Sequence, residues 1–169
     1  AIYFANFDDL STDAIVYDAT NTDTIDTWVP AAQLSLFKYE LKSNENSFTT
    51  AIQTSRDNGT TFFEQTLQIS LKKQDQAMHK NIKLLAYGRP RIIIRTMTDQ
   101  FFLMGLAQGC DTTAGEISSG AAMGDFNGYK LTFVASEVLP ANFVDVSTEA
   151  ALKTAFADSA GADANIVTA

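Results

Sequence analysis

The residues able to do chemistry are few and scattered. Six aspartates, Asp8, Asp9, Asp13, Asp18, Asp23 and Asp26, crowd the first thirty positions, and carboxylate oxygens are what calcium takes as ligands. Their spacings match no loop with a fixed ladder of ligands, so they read as a solvated acidic stretch. Asp125, with Asn127 and Gly128, opens like a calcium loop but lacks the ninth-position and terminal acidic ligands. The one histidine, His79, has no second histidine and no nearby cysteine, which fits packing or surface exposure rather than a metal site. The one cysteine, Cys110, excludes an intrachain disulfide and a cysteine-based zinc cluster. Asp111 beside it disfavours a thiolate, and no candidate base is near, so a nucleophilic role is not expected. Gly105, Gly109, Gly115, Gly120 and Gly124 form neither a phosphate loop nor a dinucleotide pattern. The expectation is therefore no catalytic residue, no metal and no cofactor. An enzyme is the weaker class, set against a self-assembling structural protein and a β-rich binding module.

The elements that would position such residues come from composition and pattern. At 169 residues and 46% hydrophobic, the chain reads as one domain able to bury roughly 70% of its unfolded surface. No apolar stretch approaches the roughly 20 residues of a membrane helix, so no membrane anchor is expected. Residues 1–30 contain no Lys or Arg, the opposite of a secretory leader. Ala1 fits removal of an initiator methionine, and a full-length product made in the cytoplasm is expected.

A net charge of −8 hides a sharp asymmetry. Lys72, Lys73, Lys80, Lys83, Arg89, Arg91 and Arg95 face only Asp75 across residues 72–95, whereas the flanking regions are acidic. A solvated helix face is the plain explanation. The other is a contact surface for an acidic patch on another copy, with Lys72, Lys73, Lys80 and Lys83 as its centre. The acidic remainder argues against a protein that seeks DNA out.

Residues 92–94 (III) and 101–104 (FFLM) are two apolar runs without alternation, joined by polar residues 96–100. Such runs indicate strands covered on both faces, here the central hairpin of a sheet. Residues 1–33 read as an irregular acidic segment with short strands at 14–17 and 25–29. Leu34, Leu36, Phe37, Tyr39 and Leu41 mark a further strand. Residues 48–55 and 60–71 form a long antiparallel hairpin about Asn58-Gly59, the dipeptide suited to positive φ. Asn58-Gly59-Thr60 is also a glycosylation sequon, but the turn reading prevails without a leader. Within 60–71, Phe63, Leu67, Ile69 and Leu71 alternate with Glu64, Thr66, Gln68 and Ser70, placing the first set toward the core and the second toward water.

Residues 74–87 carry Met78, Ile82 and Leu85 at helical spacing, with Gly88 as a stop and basic residues near the end. Residues 105–124 read as a glycine-rich loop or weak hairpin, followed by a turn at Asn127-Gly128 and a strand over 129–135. Residues 143–146 are a last short strand, and Ser147 is expected to cap a helix through Asp158. The tail, 159–169, is expected to be flexible. The fold class is mainly β (α+β): an antiparallel rolled sheet or β-sandwich with one flanking helix and a short C-terminal helix.

A long hairpin, a basic helix, the block GRPRIIIRTMTDQFFLMGLAQGCD, a glycine-rich stretch and then GDFNGYKLTFVASEVLPANFV resemble, over residues 34–146, the tail-tube and related structural proteins of tailed bacteriophages. The resemblance implies a single tail-tube-like domain over 1–169 and assembly into rings, hexameric in that family, that stack head-to-tail. The inner sheets of such rings join into a barrel whose lumen passes DNA without binding it specifically. It further implies other tail proteins as partners and a place in the virion after synthesis in the host cytoplasm. Glu64, Thr66, Gln68 and Ser70 would then face the lumen or the next ring, and an acidic lumen would repel phosphates. A connector, baseplate or capsid-associated protein shares most of these properties, and the binding module remains open beside them.

Overall fold

The computed structural model describes residues 1–42, 45–122 and 124–168. Among the described residues, twelve strands and two α-helices follow one another, with short 3-10 turns at Phe7–Asp9 and Thr12–Ala14. The first four strands are β1 (Ile2–Ala5), β2 (Ile15–Tyr17), β3 (Thr24–Trp28) and β4 (Ser35–Tyr39). The long pair β5 (Ser47–Ser55) and β6 (Thr60–Lys72) leads into helix α1 (Gln76–Tyr87). Then come β7 (Arg91–Arg95), β8 (Phe101–Met104), β9 (Asp111–Ser118), β10 (Gly128–Glu137) and β11 (Asn142–Val144). Helix α2 (Glu149–Ala155) and β12 (Asn165–Thr168) complete the order.

Two sheets result. The larger has eight strands in the order β12-β4-β1-β7-β8-β11-β3-β2, and the smaller has four in the order β5-β6-β10-β9. β7 and β8 pair antiparallel at the middle of the larger sheet, Ile93 opposite Leu103. Their apolar runs do not alternate because both faces are covered. Ile2, Phe4, Ile92, Ile94 and Met104 point at the smaller sheet and meet Leu67, Ile69, Leu71, Leu131 and Phe133. Tyr3, Ala5, Ile93, Phe101 and Leu103 point the other way, onto Trp28, Leu34, Leu152 and Phe156. The fold is thus mainly β, with two packed sheets, α1 flanking the first core and α2 closing the second.

Four local expectations change. Residues 1–33 are not irregular throughout: β1 is wholly buried and lies between β4 and β7. The segment expected to be a flexible tail contains β12, which pairs with β4. The larger sheet is mixed, because β12 runs parallel to β4 and β11 parallel to β3. The glycine-rich segment holds β9, bonded along β10 with one bulge between Thr132 and Phe133. Gly128 explains how β10 starts, since at φ 155 a Cβ there would overlap the Leu71 carbonyl of the paired strand. Only glycine permits that approach.

The helix caps are also specific. Asp75 caps α1, its side chain accepting from Ala77 N, and the Gly88 N–H closes the other end on Leu84 O. No basic residue occupies the last turn of α1, so the expected dipole complement is missing there. For α2 the cap is Thr148, one residue after the expected Ser147, because the Thr148 hydroxyl accepts from Ala151 N.

Candidate assembly surfaces

Register fixes which side chains leave the smaller sheet on its outer face. Leu67 lies opposite Phe48 and Phe133, all three turned inward, so Thr66 and Gln68 turn outward with Thr49, Ser47, Val134 and Thr132. Gln68 is exposed, and Glu64 and Thr66 are half-buried on that face. Ser70 departs from the expectation. It shares the outward register but is only 4% exposed. The residues before β5 fold across it: Asn46 Oδ1 accepts from Ser70 N at 2.8 Å, and Glu45 pairs with Lys130, which lies opposite Ser70, at 3.2 Å. Among the described residues the Ser70 hydroxyl has no hydrogen-bond partner. Water-facing residues on this sheet are therefore Glu64, Thr66 and Gln68, without Ser70.

Both margins of the smaller sheet are strand edges. β5 is exposed over most of its length and carries neither charge nor proline. β9 is exposed along most of its eight residues and carries Asp111 and Glu116. The β5–β6 hairpin also outruns its neighbour: β10 covers β6 only as far as Phe63, so residues 53–62 project beyond it. Ile52 is 68% exposed and Phe62 39%. Gly59, at φ 63, provides the turn. Residues that continue a sheet into a neighbour would look like this, since proteins ordinarily blunt such edges.

Helix α1 runs beside β9. Gln74 Nε2 donates to Ser118 O at 2.8 Å, and the Thr112 hydroxyl donates to Leu85 O at 3.3 Å. Ile82 is buried, with Met78 and Leu85 half-buried against the core. On the opposite side Lys80, Lys83, Leu84 and Tyr87 face solvent, Leu84 62% and Tyr87 83% exposed. Between α1 and β4 a groove of about 500 Å³ is lined by Phe37, Tyr39, Asn81 and Leu84 among others.

The basic run separates into parts. Lys72, Lys73, Lys80 and Lys83 are exposed, and none has an ion pair among the described residues. Arg95 bonds to Asp99 at 2.6 Å and Arg89 lies 3.8 Å from Asp111. Arg91 is not a surface residue at all, being 2% exposed. It donates to the carbonyls of Leu106 (2.9 Å), Phe7 (2.6 Å) and Leu10 (2.6 Å), and its guanidinium lies over the Phe7 and Trp28 rings. Burial lowers its pKa, opposed by the charge of Glu137.

Asp13, Asp18, Asp23 and Asp26 lie at the opposite margin of the larger sheet, on and beside β2 and β3, whereas Asp8 and Asp9 line the groove beside α1. Asp13, Asp23 and Asp26 are exposed there, with Val16 48% and Tyr17 37% exposed beside them. Asp18 is held below its usual range by the backbone N–H groups of Asn21 and Thr20. Among the described residues no three His, Cys, Asp or Glu side chains are grouped to hold a metal ion. Cys110 is buried, and desolvation, reinforced by Glu137 and Asp111, pushes its thiol far up. It is a core residue, not a nucleophile.

Pattern reading missed β9, because glycine and threonine masked an extended strand, and it missed the exposed Leu84 and Tyr87 on α1. The only signal for that pair is their spacing from Lys80, four and seven residues on. The chain matches no described protein family, no curated protein and no solved structure.

Proposed function

We propose that this chain is a structural subunit that self-assembles into stacked rings, forming a tube of the kind through which a tailed bacteriophage passes its DNA. The observation that carries the reading is the pair of strand edges on the smaller sheet: β5 has neither charge nor proline, and β9 has no strand partner beyond β10 among the described residues, with Gln74 bonded to its Ser118 carbonyl. Its four strands alternate in direction, so β5 and β9 run oppositely. If β9 of one copy meets β5 of the next, the joint is antiparallel like every other joint in that sheet. Repetition of a heterologous contact closes a ring when the rotation permits, and closure removes both edges. Six copies would make a barrel of about 24 strands, wider than porin barrels of roughly 16–18 strands that already hold an aqueous channel.

The outer face of the sheet would then line the channel. It carries Thr49, Thr66, Gln68, Thr132 and Ser136 with Glu64, Glu116 and Lys130, the last paired with Glu45, a polar surface on which acids outnumber that lysine. The projecting hairpin would reach the neighbouring ring. A connector or baseplate subunit would use the same edges, and the tube reading rests on the family resemblance of residues 34–146.

Negative-stain imaging of the purified chain tests this. Rings or tubes with a central channel are expected, and dispersed monomers at every concentration and ionic strength would overturn the reading. Two proline variants test the joint itself. Adjacent residues of an edge strand point their N–H groups alternately inward and outward, so either Thr50→Pro or Ala51→Pro removes an outward donor while sparing the β6 ladder. That variant should fold and fail to form rings. Unimpaired rings from both would remove β5 from the joint.

A further inference from the structure

Exposed lysines with apolar neighbours lie on one side of the molecule and exposed aspartates with apolar neighbours on the other, although the α1 side also carries Asp8 and Asp9 beside its groove and Asp111 and Glu116 on β9. On one side α1 lies along β9 and faces β4, presenting Lys80, Lys83, Leu84 and Tyr87. On the other, the larger sheet ends in β3 and β2 with exposed Asp13, Asp23 and Asp26, and with Val16 and Tyr17 on the two faces of the edge strand, Tyr17 on the Ile25 side. The smaller sheet has the same polarity. β5 lies above β8 and β11, toward the acidic margin, as the ring contacts Phe48–Phe102 (6.1 Å) and Phe102–Phe143 (4.5 Å) show. β9 lies at the basic side. The edge strand β9 therefore travels with the basic helix, and the edge strand β5 with the acidic margin.

We infer that the outer face of α1 docks on the β2–β3 margin of a second copy, Lys80 and Lys83 meeting Asp23 and Asp26 while Leu84 and Tyr87 pack against Val16 and Tyr17. The inference rests on the ring reading and deepens it, because one rotation joins β9 to β5 and brings the helix to the acidic margin of the same neighbour. Three facts favour a second copy as the occupant. The four lysines of this region have no ion pair among the described residues. The acidic surface is on this chain, at the side a rotated copy would offer. Each charged patch also lies beside exposed apolar groups of similar kind, including one tyrosine on each side, a residue enriched where interfaces hold most of their energy. Charge pairs at the rim would fix the direction of docking and speed encounter, with the apolar groups supplying affinity. Like patches repel, so the contact is directional: helix to margin, never helix to helix.

A charge-swap experiment tests it, with assembly followed by light scattering and imaging against concentration. Lys80→Glu with Lys83→Glu should raise the concentration needed for rings about tenfold at low salt, and so should Asp23→Lys with Asp26→Lys. The chain carrying all four substitutions should recover wild-type assembly, since the helix and margin are again opposite in charge. An equimolar mixture of the two double variants should recover it too, by alternation. Recovery by the fourfold variant supports the contact. Wild-type assembly in both double variants overturns it while leaving the β5–β9 joint standing. Loss in the double variants without recovery in the fourfold variant or the mixture also overturns it. A wild-type chain that never assembles overturns the ring reading itself.

Discussion

Arg91→Met tests whether the guanidinium holds the N-terminal segment against the larger sheet. The residue is 2% exposed and bonds to three carbonyls, from Phe7, Leu10 and Leu106. The bond to Leu10 O is buried, so that acceptor loses its partner with no water to replace it, at about 1–3 kcal/mol. The other two are part-buried, where water recovers some of the loss, leaving about 0.5–1.5 kcal/mol each. Contact with the Phe7 and Trp28 rings, 4.1 and 5.0 Å from the guanidinium carbon, adds about 0.5–1 kcal/mol. Against this, methionine keeps the apolar stem and no longer buries a charge, which returns about 1–2 kcal/mol. The central values give a net loss of about 3 kcal/mol, read from urea unfolding with unchanged m. Arg91→Lys should fare no better, because one ammonium cannot serve three diverging carbonyls. Hydrogen exchange should accelerate first at residues 7–10. A loss below about 1 kcal/mol for Arg91→Met would refute the reasoning.

Three further outcomes are expected. Leu67→Ala, at a site 2% exposed between Phe48 and Phe133, should cost about 2–5 kcal/mol by denaturant unfolding; Gln68→Ala on the opposite face should stay within about 0.5 kcal/mol. Glu149, whose carboxylate accepts from Lys38 (2.7 Å) and Tyr3 (3.1 Å), has its pKa lowered chiefly by the Lys38 hydrogen bond. Its contribution to stability is therefore present above the ordinary glutamate value of about 4.3 and is lost as pH falls through the lowered folded value. Glu149→Gln should flatten that acid limb in pH-dependent unfolding. In the proposed tube, Glu64→Lys should leave rings intact but slow DNA ejection, by adding a phosphate-binding charge to the proposed channel; normal ejection from intact tubes would remove that strand from the proposed DNA path.

Sequence pattern revealed those parts of the fold whose partners are near or whose faces differ. The β5–β6 hairpin was legible because its turn is local and its two faces differ in polarity. β7 and β8 were legible because cores lie on both sides of them. β1 was not, since its partners begin at Ser35 and Arg91 and four residues hold no local period. Alternation also gives direction without cover: it assigned Ser70 to the correct face, while the segment holding Asn46, folded across that face, buries it. Charge was misread at Arg91 for a similar reason. A basic residue within an apolar strand gave no sign of the three carbonyls, up to 84 positions away, that hold it inside. Of the outer surface, the exposure of Lys80 and Lys83 was legible from spacing, whereas β9 was hidden by its glycine.

The position of β1 has a consequence for how the chain matures. Strand β1 belongs between β4 and β7, both made after it, and β3 must wait for β11. During synthesis the larger sheet therefore stays incomplete until β12 is made and pairs with β4, a connectivity of long sequence separations that folds slowly. The β5–β6 hairpin needs only its own residues, and so one bare edge exists early. Its mate β9 gains a partner only when β10 is made. In the proposed ring, a nascent chain could thus offer one half of the β5–β9 joint but not both, which would delay ring growth until β10 is made.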